Sequence, residues 1–390
     1  MARKLWVKRG LAALATGTMA VSLAACGGGG AGAGGGGGDA AGDGEEGGLV
    51  GVAMPTQTYE RWIADGGAVE DGLTEAGYDV DLQFAGDDIP TQQAQIDAMI
   101  NKGAEALIIA SIDGTALGTQ LDAAAAAGIP VISYDRLIRD SENVDFYVTF
   151  DNYEVGVQQG TSLLTGLGIL DENGEEAADA EGPFNVELFA GSPDDNNAGF
   201  FFEGAMSVLQ PYLDDGTLVV PSKQTDFGTV AIQRWEQEGA QERMENLLTS
   251  TYTKGDATVD GVLAPADVLS RGILTALQNS GYGKGDQEIP VVTGQDAEAA
   301  SAKLIQDDVQ YSTIFKDTRL LAEQAVVAAT AFLEGETPEA NDTETYDNGE
   351  LVVPSYLLPT VIVTKDNLEA ELVDSGYLTA DEVASGQVDE

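Results

Sequence analysis

The sequence of 390 residues lacks histidine altogether and contains a single cysteine. Without histidine, a Ser-His-Asp triad, a histidine-ligated metal and the usual general base near neutral pH are all excluded. A single cysteine also excludes a disulfide within the chain. Catalysis by carboxylates, as in a glycosidase, or by lysine is not excluded by these absences, but we expect a protein that is not an enzyme and that carries neither a metal nor another cofactor.

Basic residues are scarce as well, with 18 Lys and Arg against 66 Asp and Glu and a formal net charge of −48. Binding to the phosphates of a nucleic acid requires a basic surface, so we do not expect nucleic acid as a partner. An acidic surface of this kind mainly favours solvation and solubility.

The first 25 residues have the pattern of an export signal. Basic residues up to Arg9 precede an uncharged apolar run, Leu11 to Ala25, which is shorter than the roughly 20 residues of a membrane-spanning helix. Leu23-Ala24-Ala25-Cys26 resembles a bacterial lipobox, in which the cysteine receives a lipid. We expect residues 1–25 to be a lipoprotein signal peptide. Cys26 would then anchor an extracytoplasmic protein to the outer face of the cell membrane, with the lipid as its sole membrane contact. A short anchor that stays uncut is the alternative.

Residues 26–48 consist almost entirely of Gly, Ala and acidic residues. Such a segment has too little apolar surface to fold, so we expect a flexible tether. It also matches the pattern GxGxxG in several frames, as any run of glycine does. No strand precedes it, so a dinucleotide-binding site is not indicated.

From residue 49 onward, short apolar strands alternate with segments of helical periodicity. The first series predicts helices at 58–76 and 90–102, an Ala-rich helix ending at 128, and strands at 49–54, 80–84, 106–110 and 130–134. The second predicts helices at 203–213, 235–250 and 269–279 and strands at 185–190, 218–221, 261–264 and 289–292. An acidic insert at 171–182 between the two series is expected to be a surface loop. The pattern predicts an α/β fold with two similar, doubly wound parallel-sheet lobes.

Polar side chains follow the carboxyl ends of these strands, where ligands bind in open parallel sheets. Asp, Asn and Arg can each bridge two neighbouring hydroxyls of a sugar, and an indole suits the C–H face of a sugar ring. The pattern therefore predicts a monosaccharide site between the two lobes. Its candidate residues are Arg61, Asp135, Arg136, Asp195, Asn197, Trp235, Asp296 and Lys316.

Each candidate has a structural alternative. Asp135 and Arg136 could form a local ion pair, and Asp195 and Asn197 could cap the helix that follows them. Trp235 could pack in a core at a helix start. Lys316 could be a surface charge, and Arg61 could be a solvated helix residue.

Asp113 and Asp267 also follow strands, but they are expected only to cap helices and are not included in the site.

Several motifs resemble those of a known family. They are Val52-Ala53-Met54-Pro55-Thr56, Ile109-Ala110-Ser111-Ile112-Asp113-Gly114, Tyr134-Asp135-Arg136-Leu137-Ile138, Gly191-Ser192-Pro193-Asp194-Asp195-Asn196-Asn197, Gly294-Gln295-Asp296-Ala297 and Tyr311-Ser312-Thr313-Ile314-Phe315-Lys316-Asp317-Thr318. Together they resemble the bacterial multiple-monosaccharide-binding (ChvE-like) proteins, in the xylose- and ribose-binding branch of the type I periplasmic binding proteins. One departure is Ala266, which stands where xylose binders have Asn before an Asp, and this puts strict xylose selectivity in doubt.

The resemblance implies two discontinuous lobes joined by three hinge crossings, near 151–155, 315–318 and 354–358. The N-terminal lobe would comprise 49–153 and 317–355, and the C-terminal lobe 154–316 and 356–390. The same eight candidate residues would line the cleft between the lobes, which would close by a hinge on sugar binding.

The resemblance also implies the function. The protein would be a monomeric, extracytoplasmic solute-binding lipoprotein that takes up an aldose such as xylose, glucose, galactose or arabinose. Its partners would be the permease and the ATPase of an ABC transporter. The alternative is a sugar-sensing lipoprotein that presents its closed form to a chemosensory or two-component receptor. A sugar-responsive repressor would need a basic helix-turn-helix at its N-terminus, where this chain has a lipobox and polyglycine.

Overall fold

The computed structural model describes residues 47–388, apart from 172, 178, 179, 181, 253–256 and 286. The predicted signal peptide, Cys26 and nearly all of the predicted tether lie outside the described residues, as does part of the acidic insert. Within the described part of the chain, no helix combines the length and the apolar character needed to cross a membrane.

The first half of the chain alternates strands and helices as the pattern predicts. Its elements are β1 (Gly47–Met54), α1 (Glu60–Glu75), β2 (Tyr78–Phe84), α2 (Ile89–Lys102), β3 (Ala106–Ile109), α3 (Gly118–Ala127), β4 (Val131–Tyr134), β5 (Phe146–Phe150) and α4 (Asn152–Gly166). Local chemistry sets the helix ends. The Asp88 side chain caps α2 by accepting a hydrogen bond from the Thr91 N–H, and Gly103 ends the helix at φ 86°.

The second half continues the alternation. Its elements are β6 (Phe184–Leu188), α5 (Asn196–Asp215), β7 (Leu218–Val219), α6 (Phe227–Val230), α7 (Gln237–Ser250), β8 (Gly261–Leu263), α8 (Asp267–Asn279), β9 (Val291–Val292), α9 (Ala299–Gln306), β10 (Ser312–Phe315), α10 (Thr318–Leu333), β11 (Ser355–Leu358), β12 (Val361–Thr364) and α11 (Ala380–Ser385).

Two parallel sheets form the framework. The larger has the strand order β11-β5-β4-β3-β1-β2, and the smaller has the order β7-β6-β8-β9. Strands β10 and β12 pair with each other in antiparallel orientation. Within β1, Val52 and Met54 pack into one apolar cluster and Ala53 into another, so both faces of the larger sheet are covered. The predicted α/β fold with two parallel sheets is confirmed.

The chain changes sheet at three places. It leaves β5 for α4, which packs against β8 and β10, and it leaves β10 for α10, which packs against β3 and β5. The third change falls between β11, which pairs with β5, and β12, which pairs with β10. The predicted lobes divide at 355/356, inside β11, whereas the strand pairing assigns the whole of β11 to the larger sheet.

Several predicted elements differ in extent: the predicted strand 289–292 pairs only at Val291–Val292, and the predicted helix 203–213 begins at Asn196. The predicted strand 218–221 pairs only at Leu218–Val219, at the edge of the smaller sheet. The predicted helix 235–250 begins at Gln237, and Trp235 lies before it in a short 3₁₀ turn with φ 57°. Trp235 is therefore held by a strained turn rather than by a regular helix start.

Candidate functional site

All eight predicted site residues lie around one cavity at the carboxyl ends of the strands. Its volume is about 480 Å³, including its opening to solvent. Arg61 reaches it from α1, Asp135 and Arg136 follow β4, and Lys316 follows β10. The complete lining comprises Tyr59, Arg61, Trp62, Asp135, Arg136, Asp195, Asn197, Phe201, Trp235, Ala266, Val268, Gln295, Asp296, Glu298 and Lys316.

Arg61 is the centre of a buried ion network. Its Nη2 lies 2.9 Å from Oδ2 of Asp65 and 2.5 Å from Oδ2 of Asp135, and its Nη1 lies 3.5 Å from Oδ1 of Asp296. The guanidinium carbon lies 4.2 Å from the centre of the Trp62 ring. Arg61 is 8 % exposed, so its charge is stabilised by these carboxylates and this indole rather than by water.

Lys316 supplies a second buried cation. Its Nζ lies 2.9 Å from Oδ1 of Asp296 and 5.6 and 5.7 Å from the centres of the Phe150 and Phe201 rings. The side chain is 3 % exposed, so it is not the solvated surface charge of the alternative interpretation. Asp296 thus bridges Lys316 and Arg61, and its backbone adopts φ 96°.

Asp195 caps a helix and also reaches the cavity wall. Its Oδ1 accepts a hydrogen bond from the Asn197 N–H at 3.0 Å and so caps α5. Its Oδ2 lies 3.3 Å from Nε of Arg136 and accepts a hydrogen bond from Nε1 of Trp235 at 3.2 Å. Because the Trp235 indole N–H is fixed by Asp195, the orientation of the ring in the cavity wall is fixed as well.

Asn197 is engaged within the protein at both ends of its amide. Its Nδ2 donates to the Asp135 carbonyl at 2.7 Å, and its Oδ1 accepts a hydrogen bond from the Tyr147 hydroxyl at 2.9 Å. The amide therefore ties the end of β4 to the start of α5. One amide N–H and one lone pair of the amide oxygen are left for a ligand.

The three predicted carboxylates in the cavity wall are each paired with a cation. Burial disfavours the ionised form of Asp135, but Arg61, Lys316 and Arg136 outweigh it and hold its pKa below the ordinary value. Burial raises the pKa of Asp195, with Arg136 opposing the shift. The three predicted carboxylates thus face three cations, and none of the three is isolated in the low-polarity interior.

A fourth carboxylate, that of Glu298, also reaches the wall. Its partner is Arg271, with which it forms an ion pair. Burial raises the pKa of Glu298, and Arg271 opposes that shift. Within the residues described, no cluster of three or more His, Cys, Asp or Glu side chains is arranged to hold a metal ion.

The Trp235 ring requires a glycine beneath it. A Cβ built on Gly191 would lie 1.9 Å from Cη2 of Trp235, so a side chain at 191 would displace the indole. The turn that carries Trp235 is held by a hydrogen bond from the Arg234 N–H to Oγ of Ser192 at 2.7 Å. Both Arg234 and Trp235 have positive φ, which non-glycine residues rarely adopt.

Contacts outside the cavity join the two halves of the protein. Nη1 of Arg234 donates to the Asp87 carbonyl at 2.6 Å, and the Tyr59 hydroxyl donates to the Arg234 carbonyl at 3.3 Å. The Gly114 N–H approaches the Asp194 carbonyl at 3.5 Å. These hydrogen bonds link the half of the chain that carries the larger sheet to the half that carries the smaller sheet.

Trp62 and six other lining residues were not among the eight predicted site residues. Phe201 and Val268 lie inside helices, where an apolar side chain predicts a core position. Gln295 directly precedes the predicted site residue Asp296 in the same loop, and this position in the sequence could have indicated that it lines the cavity. The remaining three are Tyr59, Ala266 and Glu298.

The sequence matches the family described as "Periplasmic binding protein domain" over residues 50–337. The chain belongs to this family. Its members bind solutes outside the cytoplasm, and the resemblance predicted from the motifs is confirmed.

Named relatives agree with the family. The multiple sugar-binding periplasmic receptor ChvE of Rhizobium radiobacter is 54 % identical over 336 residues, which are 86 % of this chain and 92 % of that one. The multiple sugar-binding periplasmic protein SbpA of Azospirillum brasilense is 52 % identical, covering 85 % of this chain and 89 % of that one. These relatives are sugar-binding proteins, so the prediction that the chain is not an enzyme is confirmed.

A solved structure of an ABC transporter solute-binding protein from Clostridium phytofermentans, with bound β-D-glucose, superimposes with a TM-score of 0.80. It is 46 % identical and the match covers 86 % of this chain and 99 % of that one. The fold and the family are thus shown independently by sequence and by structure.

Proposed function

We propose that the protein binds one neutral monosaccharide in the cavity and delivers it to the permease of an ABC transporter. The observation that carries this proposal is the wall of paired charges: Arg61, Asp135, Asp296 and Lys316 meet in one buried network, and Arg136 pairs with Asp195 across the same space. Hydroxyl groups can bridge such pairs because each hydroxyl both donates and accepts.

The pairing of the charges in the wall favours an uncharged ligand. A charged ligand would add a charge to a site in which Asp135, Asp195 and Asp296 are each already paired with a cation. The cost of one uncompensated buried charge is several kcal/mol. A neutral sugar adds hydrogen bonds without that cost, so sugar acids and amino sugars should bind poorly.

The apolar part of the wall suits a sugar ring. Trp62 and Trp235 are 3 and 8 % exposed, and both belong to the cavity lining together with Phe201. An indole ring matches the apolar C–H face of a pyranose.

Membership of the family of periplasmic binding proteins supports delivery to a permease. The structural relative from Clostridium phytofermentans is named as an ABC transporter solute-binding protein with bound glucose. We propose lobes built on the two sheets, a hinge at their three connections, and lipid anchoring through Cys26, with the protein acting as a monomer. Replacing Cys26 by Ser should abolish incorporation of labelled fatty acid and release the protein from the membrane.

Calorimetric titration tests the proposed ligand class. Glucose, galactose, xylose, arabinose and ribose would be titrated into the protein, with glucuronate and glucosamine as charged counterparts of similar size. We expect one site per chain and micromolar or tighter affinity for at least one neutral aldose. Heat from none of the neutral sugars, or tighter binding of a charged one, would contradict the proposal.

Sugar uptake tests the transport step separately. Cells that lack the protein should lose uptake of the sugar that binds best, and the intact gene should restore it. Normal uptake without the protein would contradict delivery to a transporter, although sugar binding itself would stand.

A further inference from the structure

Asp65 is a fully buried carboxylate that is not among the residues lining the cavity. It lies on α1, one helical turn after Arg61. Its Oδ2 accepts hydrogen bonds from Nε and Nη2 of Arg61 at 3.0 and 2.9 Å. Its Oδ1 accepts one from the Tyr134 hydroxyl at 2.5 Å. Both oxygens of this carboxylate are therefore used behind the cavity wall.

These bonds determine which edge of the Arg61 guanidinium faces the ligand. Nε and Nη2 are held by Asp65, and Nη2 also contacts Asp135. Nη1 makes no hydrogen bond within the described chain and has only the 3.5 Å ion pair with Asp296. The donors of Nη1 are thus the part of this guanidinium that remains free for a hydroxyl.

We propose that Asp65 is a positioning residue for sugar binding: it fixes the Arg61 guanidinium from behind so that Nη1 is presented to the ligand. This inference rests on the proposed binding of a sugar in the cavity. It predicts that sugar affinity depends on the charge of a carboxylate that does not itself reach the sugar. A carboxylate that served only the stability of the fold would not have this effect.

The surroundings of Asp65 make its charge sensitive to pH. The charged and titratable groups that face it are Arg61 on its own helix, Tyr134 and Asp135 at the end of β4, and Tyr377 from the C-terminal segment. Burial raises the pKa of Asp65 to about 6; Asp135 adds to the shift, while Arg61 and the Tyr134 hydroxyl oppose it. Below about pH 6, Asp65 becomes neutral and holds Arg61 more weakly.

The test compares wild-type protein with Asp65→Asn by calorimetry from pH 8 to pH 5, using the best neutral aldose. Asparagine keeps the size but not the charge. We expect at least about a tenfold loss of affinity at pH 7.5, because a charge-assisted hydrogen-bond pair is lost. The affinity of the wild-type protein for the sugar should fall as the pH is lowered through about 6. The affinity of the variant should not show this fall, because asparagine does not titrate. The other buried carboxylates titrate in both proteins, so the difference between the curves isolates Asp65.

Asp71→Asn is the matched control, since Asp71 is an exposed aspartate on the same helix, and it should bind as the wild type does. Tyr134→Phe is the second variant. Removing the hydroxyl that stabilises the Asp65 carboxylate should raise its pKa and move the fall in affinity to higher pH. This second readout remains available if Asp65→Asn does not fold.

The outcomes separate the two proposals. If the wild-type protein binds no sugar, the proposed function fails and the positioning role fails with it. If the wild-type protein binds, then wild-type affinity in Asp65→Asn, or an unchanged pH profile in either variant, overturns the positioning role alone.

Discussion

Replacing Asp296 by asparagine should weaken sugar binding by about 10- to 100-fold. In the described chain, Asp296 is the one carboxylate within 4.0 Å of the Lys316 ammonium, and it also faces Arg61. Asparagine keeps one carbonyl oxygen but loses the charge. Breaking a buried ion pair outright costs about 3–5 kcal/mol. Since a neutral acceptor remains, we expect about 1.5–3 kcal/mol, which corresponds to the stated factor.

Asparagine is preferred to alanine because residue 296 has φ 96°, a region that asparagine tolerates better. Asp308→Asn is the matched control, because Asp308 also has positive φ and pairs with a lysine, but is exposed. Calorimetry with glucose at pH 7.5 gives both affinities, and thermal melting shows that both variants are folded. Equal affinity of Asp296→Asn and wild type would refute the assignment of this carboxylate to the sugar site.

Three further predictions concern the indoles and the buried acids. Sugar should change the intrinsic fluorescence, and Trp235→Phe should reduce that change, leaving the signal of Trp62; a full response in the variant would place the sugar away from this ring. Gly191→Ala should cost about 1–3 kcal/mol in stability and also weaken sugar binding, because its Cβ would meet the Trp235 ring at 1.9 Å. Gly199→Ala is the control that should melt no lower than the wild type, because a Cβ at residue 199 would meet no atom within 4 Å beyond its chain neighbours and its own helix backbone. Finally, the sugar-free protein should melt at a higher temperature at pH 5 than at pH 7.5. Asp65 has a folded-state pKa of about 6 against an ordinary value of 3.8, so the folded state binds more protons between these values, and stability falls as pH rises through that window. Relief of repulsion within a chain of net charge −48 acts in the same direction, and a lower melting temperature at pH 5 would contradict this reasoning.

The sequence predicted the two-sheet framework because buried strands leave a strong signal. All four residues of β3 are buried, and its neighbours β1 and β4 are nearly as apolar, so the run of strands is visible without a structure. The two shortest strands were overestimated: β7 and β9 each pair over only two residues, at the two edges of their sheet. Whether a strand lies at the edge of a sheet depends on the tertiary fold, and the local pattern of apolar residues carries no information about it.

The candidate site was predictable where a polar residue directly follows a strand. Asp135 and Lys316 stand immediately after β4 and β10, and both lie in the cavity wall. The strained turn of Trp235 was not predictable, since its positive φ is held by contacts with Gly191 and Ser192, which are distant in sequence. Asp65 escaped prediction for a related reason. An aspartate in a helix is usually solvated, and only the packing of α1 against α10, β1 and β2, with the Tyr134 hydroxyl at the end of β4, buries it.

The central claim is that one neutral sugar occupies the space between the paired charges and the indoles. A crystal structure of the protein with D-glucose, at a concentration that saturates the calorimetric signal, tests this most directly. We predict density for a single sugar ring in the cavity, with hydroxyls within hydrogen-bond distance of Nη1 of Arg61 and of the carboxylates of Asp135 and Asp296. A saturated protein whose sugar lies outside this cavity, or touches none of these side chains, would contradict the account.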